Sequence, residues 1–362
     1  MSQLIDNLNT IESIKTDIKA AIENKGVDMT GVSFPGYASK IGEISGGSGW
    51  DQKDITEKSY DIINLDNSAS FVASSAFMNN KTIQTVNLPY ATTVGNSAFY
   101  TCSSLAQVNL PMCSYIGNGA FFYCTSLTQV SLPMCNTIIN AAFQNCIKLT
   151  QVDLPMCNTI GTYAFYNCSS LSQVSLPVCT TISNNAFTFC SSLNQVNLPM
   201  CSSIGNNAFS GCRSLVQVSL PVCTTIGGSA LQKCSKLTQV DLPMCSSIGN
   251  YAFQECYSLA QVSLPVCGSI GTNAFAFCNK LTQVDLPMCS SIGNNAFDYC
   301  TLLSIITIGY SSVCILGNSN VFGNTQITSS TGSIYVPTSL VDSYKSAKNW
   351  SYFSSRIFPI PE

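Results

Sequence analysis

A leucine returns every 22 residues through most of this chain, at Leu105, Leu127, Leu149 and onward to Leu281 and Leu303. One unit, residues 237–258, reads LTQVDLPMCSSIGNYAFQECYS, and the consensus is LxQVxLPxCxxIGxxAFxxCxx. A fixed period of this length means one supersecondary unit copied and stacked. Within the unit, Gln-Val-x-Leu alternates polar and apolar at period two, which predicts a short strand with Val and Leu facing inward. Proline ends that strand because it cannot donate to a continuing ladder. The Ile-Gly pair predicts a corner, where glycine permits backbone conformations that other residues resist. Ala-Phe supplies a small and a large core residue on the return side, read as a turn or one short helical turn. Twenty-two residues are too few for a strand plus a long crossover helix.

No single unit can bury its own apolar face, so the units must stack as rungs. At roughly 4.8 Å between neighbouring strands, ten rungs make a rod of about 50 Å. The predicted fold is a leucine-rich-repeat solenoid with one parallel β-sheet of short strands. It carries a small N-terminal helical module and a C-terminal cap of a strand and a helix. Degenerate rungs flank the regular ones at Ile63-Asn64-Leu65 with Ala76-Phe77, and at Ile306-Thr307-Ile308. A longer period is superposed: Pro-Val-Cys at 177–179, 221–223 and 265–267 alternates with Pro-Met-Cys at 199–201, 243–245 and 287–289. A two-rung block of 44 residues was duplicated, and such an array changes length easily.

The ends differ from the middle. Before residue 45 lie 6 of the 18 acids and 4 of the 15 bases. Leu4, Ile11 and Ile18 are seven apart, and Leu8, Ile14 and Ile22 widen the stripe, which predicts an amphipathic helix ended near Gly26. That stripe is wide for a module of this size to bury internally, so these residues are assigned to docking or oligomerisation. Residues 1–44 form the module, and 45–60, opening on Ser-Gly-Gly-Ser-Gly, form a flexible linker and lead-in. The solenoid spans 61–309 and the cap 310–362, with a strand at 332–337, a helix at 338–349 and Trp350 close behind.

Composition excludes several functions. Only 9% of residues are charged, there is no histidine, and the net charge is −3, so no basic nucleic-acid footprint exists. Without histidine the commonest general base and the commonest transition-metal ligand are missing. The opening residues carry Asp6, Glu12, Lys15, Asp17 and Lys19 where a signal peptide needs an apolar run, and no stretch is long and apolar enough to insert in a membrane. Nine cysteines occupy the Pro-x-Cys position, ten the Phe-x-x-Cys position, and Cys314 completes twenty. A catalytic thiol needs one electropositive niche and a base, and a metal site needs convergent ligands; sulfurs spaced 11 and 11 along a rod supply neither. They are read as free, buried filling. No cofactor, metal or catalytic residue is predicted.

Gln129, Gln151, Gln173, Gln195, Gln217, Gln239 and Gln261 sit beside the inward Val and point outward. With the Asn, Ser or Asp two residues on, they pave one face with amides and hydroxyls. Two readings stand: the glutamines hydrogen-bond along the rod as a stabilising ladder, or they form an uncharged platform for a glycan or protein. Asp153, Asp241 and Asp285 share this face, at least two rungs apart, too sparse for an acid/base pair. Positions 83–304 hold five acids and five bases, so electrostatic steering by this surface is weak.

The unit ending IGxxAFxxCxxL resembles the BspA-like leucine-rich repeats over about 250 residues, and Ile334 to Ile360 looks like the C-terminal cap common in that family. Members are typically adhesins, and no enzyme activity is implied. Cys113, Cys135, Cys157 and their successors replace the family's usual Val or Ala, so the resemblance does not explain that ladder. The opening, Ile14-Lys15-Thr16-Asp17-Ile18-Lys19-Ala20-Ala21-Ile22 with Lys25-Gly26-Val27 and Tyr37-Ala38-Ser39-Lys40-Ile41, is similar to the start of many virion proteins of tailed phages of gut bacteria. That similarity implies a tail or head fibre, made in the host cytoplasm, attached through its N-terminus to other virion proteins. It would be a homo-oligomer, a trimer in the favoured form, with the solenoid recognising a host surface glycan or protein. The alternative is a bacterial cell-surface BspA-like adhesin. A glycan hydrolase carried on a fibre is a third class, which the sparse acids disfavour.

Overall fold

The structure, a computed structural model, describes residues 62–64, 71–329 and 331–361. The helix predicted over the first 22 residues and the linker after it lie outside the described residues.

Each 22-residue rung turns through three sides. The first is the Gln-Val-x strand. Gln151–Asp153 pairs in parallel with Gln129–Ser131 on one flank and Gln173–Ser175 on the other, like residue against like position. Among the described residues this gives a ten-stranded parallel sheet, followed by a four-stranded one made of Gln283–Leu286, Ile305–Ile308, Ser333–Val336 and Ile357–Pro359. The second side was not foreseen. After Pro-x-Cys, a two-residue strand such as Thr159–Ile160 pairs with its neighbours in a further parallel sheet of twelve strands. Two residues are too few to show a periodicity, yet a Thr-Ile or Ser-Ile pair is β-branched and fits a strand.

The third side is a turn with no helix. Its backbone still bonds from rung to rung, as in Ala141 N–H to Thr162 O (2.9 Å), Phe143 to Ala164 (2.8 Å) and Asn145 to Tyr166 (2.8 Å). Two residues per rung sit in the left-handed region here, Ala141 (φ 55°) and Asn145 (φ 62°) for example. That conformation costs a non-glycine residue about 1–2 kcal/mol, and the inter-rung bonds hold it.

The strand Val and Leu, the Ile of the second strand, the Ala-Phe pair and both cysteines of each rung fill the interior. Phenylalanine rings stack along the rod from Phe77 through Phe99, Phe121, Phe143, Phe165 and Phe187 to Phe209, with centroids 5.1–5.2 Å apart. Leu231 interrupts the column, which resumes at Phe253. The corner glycines act differently from the sequence expectation. They do not adopt positive φ; a Cβ on Gly161 would lie 2.7 Å from the backbone carbon of Ile139 in the preceding rung, so glycine permits close approach. Ile139 and Ser183 take the same place in two rungs, and nothing in the described geometry explains why they fit.

The last rung is closed by side chains. The strand at Ser333–Val336 matches the expectation, but the helix is only Val341–Ser346 after a 3₁₀ turn at Thr338–Leu340, and a further 3₁₀ turn at Ser351–Arg356 leads to Ile357–Pro359. The Tyr344 hydroxyl accepts from Cys314 N–H (2.9 Å), Trp350 Nε1–H donates to Cys314 O (2.6 Å) and Asn349 donates to Leu316 O (2.8 Å). These bonds satisfy the edge that an open sheet leaves.

Candidate functional site

All twenty cysteines are free and buried. At the corner, Cys157 donates S–H to Thr159 O of its own rung (3.3 Å). On the turn side, Cys168 donates to Phe143 O of the preceding rung (3.1 Å). Loss of solvation pushes the corner thiols Cys113, Cys157 and Cys201 up to about 11, and Cys135, Cys179, Cys223 and Cys267 to about 12. The turn-side thiols Cys124, Cys168 and Cys212 go well above their ordinary value for the same reason. Protonated, buried thiols are neither nucleophiles nor ligands. At the C-terminal end the pattern breaks: the neighbouring thiols Cys289 and Cys314 act on each other, drawing the first down and pushing the second up. Among the described residues no group of three or more His, Cys, Asp or Glu could hold a metal ion. An open depression of about 510 Å³ beside the last rungs is lined by Tyr299, Asn324, Gln326 and hydroxyl side chains, without carboxylate, amine or thiol.

The structure brings the sequence-predicted face together. Gln129, Gln151, Gln173, Gln195, Gln217, Gln239 and Gln261 are exposed, one per strand, in parallel register, with the buried or half-buried Val of each strand between them and the third strand residue. Asp153 has Ser131 and Ser175 as strand neighbours, Asp241 has Ser219 and Ser263, and Asp285 lies beside Thr307, so no two carboxylates are adjacent. Those seven glutamines make no side-chain hydrogen bond to one another among the described residues; the bonded glutamine on this face is Gln283, which donates to both oxygens of Asp285 at 3.1 Å. The stabilising amide ladder expected of them exists elsewhere. It runs along the corner after the glycines, where Asn96, Asn184 and Asn206 accept the backbone N–H of Asn118, Asn206 and Gly228 in the next rung at 2.7–2.8 Å. The Gln amides are therefore left for solvent or a ligand. The docking residues Leu4, Leu8, Ile11, Ile14, Ile18 and Ile22 lie outside the described residues.

One feature of the surface escaped the sequence reading. The residue after the strand's Pro is apolar in every regular rung, from Tyr90 (followed by Ala91) through the nine Pro-x-Cys rungs to Met288, and every copy is exposed: the Met side chains by 49–56%, the Val side chains by 40–43%, Tyr90 by 48%. The Met/Val alternation was legible as a duplication, but not as an apolar stripe in solvent. Its exposure follows from the second sheet, which turns the proline corner outward. Polar rows flank it: Asn, Ser or Asp of the strand on one side, Ser, Thr or Asn after the cysteine on the other, with Gly268 the exception.

These features define a leucine-rich-repeat solenoid with a solvent-facing, amide-lined sheet that carries only scattered carboxylates. The BspA-type leucine-rich-repeat region, six copies, matches residues 56–172, 158–267 and 224–347, and the chain belongs to that family. Among solved structures, a leucine-rich-repeat protein from Bacteroides ovatus is 23% identical, covering 83% of this chain and 91% of its own, with a TM-score of 0.50, which shows the shared fold. A leucine-rich cell surface protein from Faecalibacterium prausnitzii is 25% identical over 81% of this chain and 90% of its own, TM-score 0.45. A leucine-rich-repeat protein from T. pallidum is 32% identical over 42% of this chain and 77% of its own, TM-score 0.40. No curated protein matches the chain.

Proposed function

We propose that this chain is a non-enzymatic recognition scaffold of the BspA-like adhesin kind, displayed at a surface and engaging a glycan or protein through its first sheet. The observation that carries this reading is the exposed row of glutamine amides, left without side-chain partners along the rod while the corner asparagines do the structural bonding. Amides with both donors and acceptors in solvent, on a rigid parallel lattice, suit hydroxyl-rich or backbone-like ligands, and rigidity lowers the ordering cost of binding. Replacing Gln173, Gln195 and Gln217 together by Lys should abolish binding to whatever surface glycan or protein the intact chain retains on an array. Equal retention by the triple variant would exclude the sheet face.

The virion-fibre reading has one support, the segment spanning residues 14–41, which lies outside the described residues. Attachment through that segment separates the two settings. Residues 50–362 added to a phage assembly reaction should fail to enter particles if the chain is a fibre. A cell-surface adhesin would show no particle association in either form.

A further inference from the structure

The apolar stripe after the strand's Pro is unexplained by the packing of the rod or by the proposed ligand face. Ten half-exposed side chains in line, spaced about 4.8 Å, form a continuous apolar surface rimmed by polar residues, which marks an interaction site. Their exposed area is on the order of the ~800 Å² that each partner contributes to a stable interface. From the described geometry we infer that this stripe is the interface between two copies of the chain, packed antiparallel about a two-fold axis between the Val178 and Met200 rungs.

Three observations select that arrangement. The stripe is uniformly apolar, so it complements itself, as a closed two-fold interface requires. The alternation of large and small side chains then fits. An axis at that place sets Val178 against the partner's Met200, Met156 against the partner's Val222 and Met112 against the partner's Val266. All ten rungs are covered, and large meets large at two places only, Met134 with the partner's Met244 and Tyr90 with the partner's Met288. A parallel pair or trimer in register sets every Met against Met and every Val against Val, alternating crowded and empty layers. A parallel pair staggered by one rung fits in size but leaves an open, non-closing contact.

The third observation is charge. The antiparallel axis lays the flanking strand row of one copy along the same row of the other. In that register Asp153 faces the partner's Ser219, Asp241 the partner's Ser131, and Asp285 the partner's Asn87. No carboxylate meets another. The five acids and five bases of residues 83–304 add no net repulsion between two rods. Methionine, flexible and polarizable, adapts to the remaining mismatch.

The test is the oligomeric state of the full chain by analytical ultracentrifugation across about 1–100 μM, beside a Met156→Lys/Met200→Lys/Met244→Lys variant. Those positions are half in solvent, so the variant should keep the parent's circular dichroism and melting. The inference predicts a dimer whose dissociation constant rises at least 100-fold in the variant. Two further variants fix the geometry. Val178→Cys mixed with Met200→Cys should cross-link as a mixed pair under mild oxidation, each alone far less. A monomer throughout, a trimer indifferent to the lysines, or Met200→Cys cross-linking best with itself would each overturn the inference. A folding defect in the triple lysine variant leaves the cysteine pair to decide.

Discussion

The two returning sides of the rod hold their sulfur in opposite ways. On the corner side a strand ladder already joins rung to rung, and the cysteine bonds inside its own rung, as Cys113 to Tyr115 O and Cys201 to Ser203 O. On the turn side there is no strand, and the cysteine reaches back to the preceding rung, as Cys124 to Phe99 O and Cys190 to Phe165 O. Residues with positive φ recur on the turn side and phenylalanines stack there. There the backbone still bonds from rung to rung without a strand, and the thiol and the ring stack add side-chain contacts along the same direction. The cysteine ladders are thus structural in two senses, and function is left to the surface.

The largest test of this comparison is alkali. Burial raises the thiols of both sides, from Cys102 to Cys278. Below about pH 8.5, the ordinary thiol value, folded and unfolded chains both hold these protons and stability is unaffected. Above it the unfolded chain releases protons that the folded chain keeps, so stability falls until the folded values, about 11 or 12 at the corner, are reached. Each thiol contributes about 1.4 kcal/mol per pH unit, together on the order of 20 kcal/mol per unit, beyond the ~5–15 kcal/mol of a typical fold. Circular dichroism should show cooperative unfolding between about pH 9 and 10, with thiolate absorbance rising in the same step. Thiolate absorbance rising with the spectrum unchanged would separate the titration from the fold.

Single substitutions should rank the two sides. Cys168→Ala loses an inter-rung bond and leaves a void among stacked rings, at a cost of about 1–2 kcal/mol. Cys157→Ala leaves a comparable void but loses only a bond inside its own rung, so it should cost less than Cys168→Ala, about 1 kcal/mol. Urea midpoints compare them, and equal shifts would erase the distinction. A smaller effect of opposite sign is expected from Ala141→Gly, which relieves a left-handed alanine on the turn side and should gain about 0.5–1 kcal/mol. Ser183→Gly at the corner, where φ is not positive, should gain nothing; a differential scanning calorimeter resolves the two.

The solenoid, its inward Val and Leu, the cysteine burial and the outward glutamines were legible because each recurs at a period that only stacking satisfies. What was hidden has a physical pattern too. Thr159–Ile160 and its equivalents are too short to announce a strand. The corner asparagines serve the next rung's backbone, a contact that local spacing does not encode. Ile357–Pro359 joins the sheet through a chain-end contact with Ser333–Val336, which no repeat foretells. The exposure of Met156 or Val222 could not be read from a Pro-x-Cys motif that looks equally suited to a core.

The central claim, that the sulfurs pack the rod and take no part in chemistry, is tested most directly by alkylating the native full chain at pH 8 and weighing it intact. The account predicts no added mass over hours in native buffer and twenty adducts once the chain is unfolded in guanidinium without reductant. Adducts forming within minutes on the native chain, or fewer than twenty after unfolding because some sulfurs are paired, would contradict it.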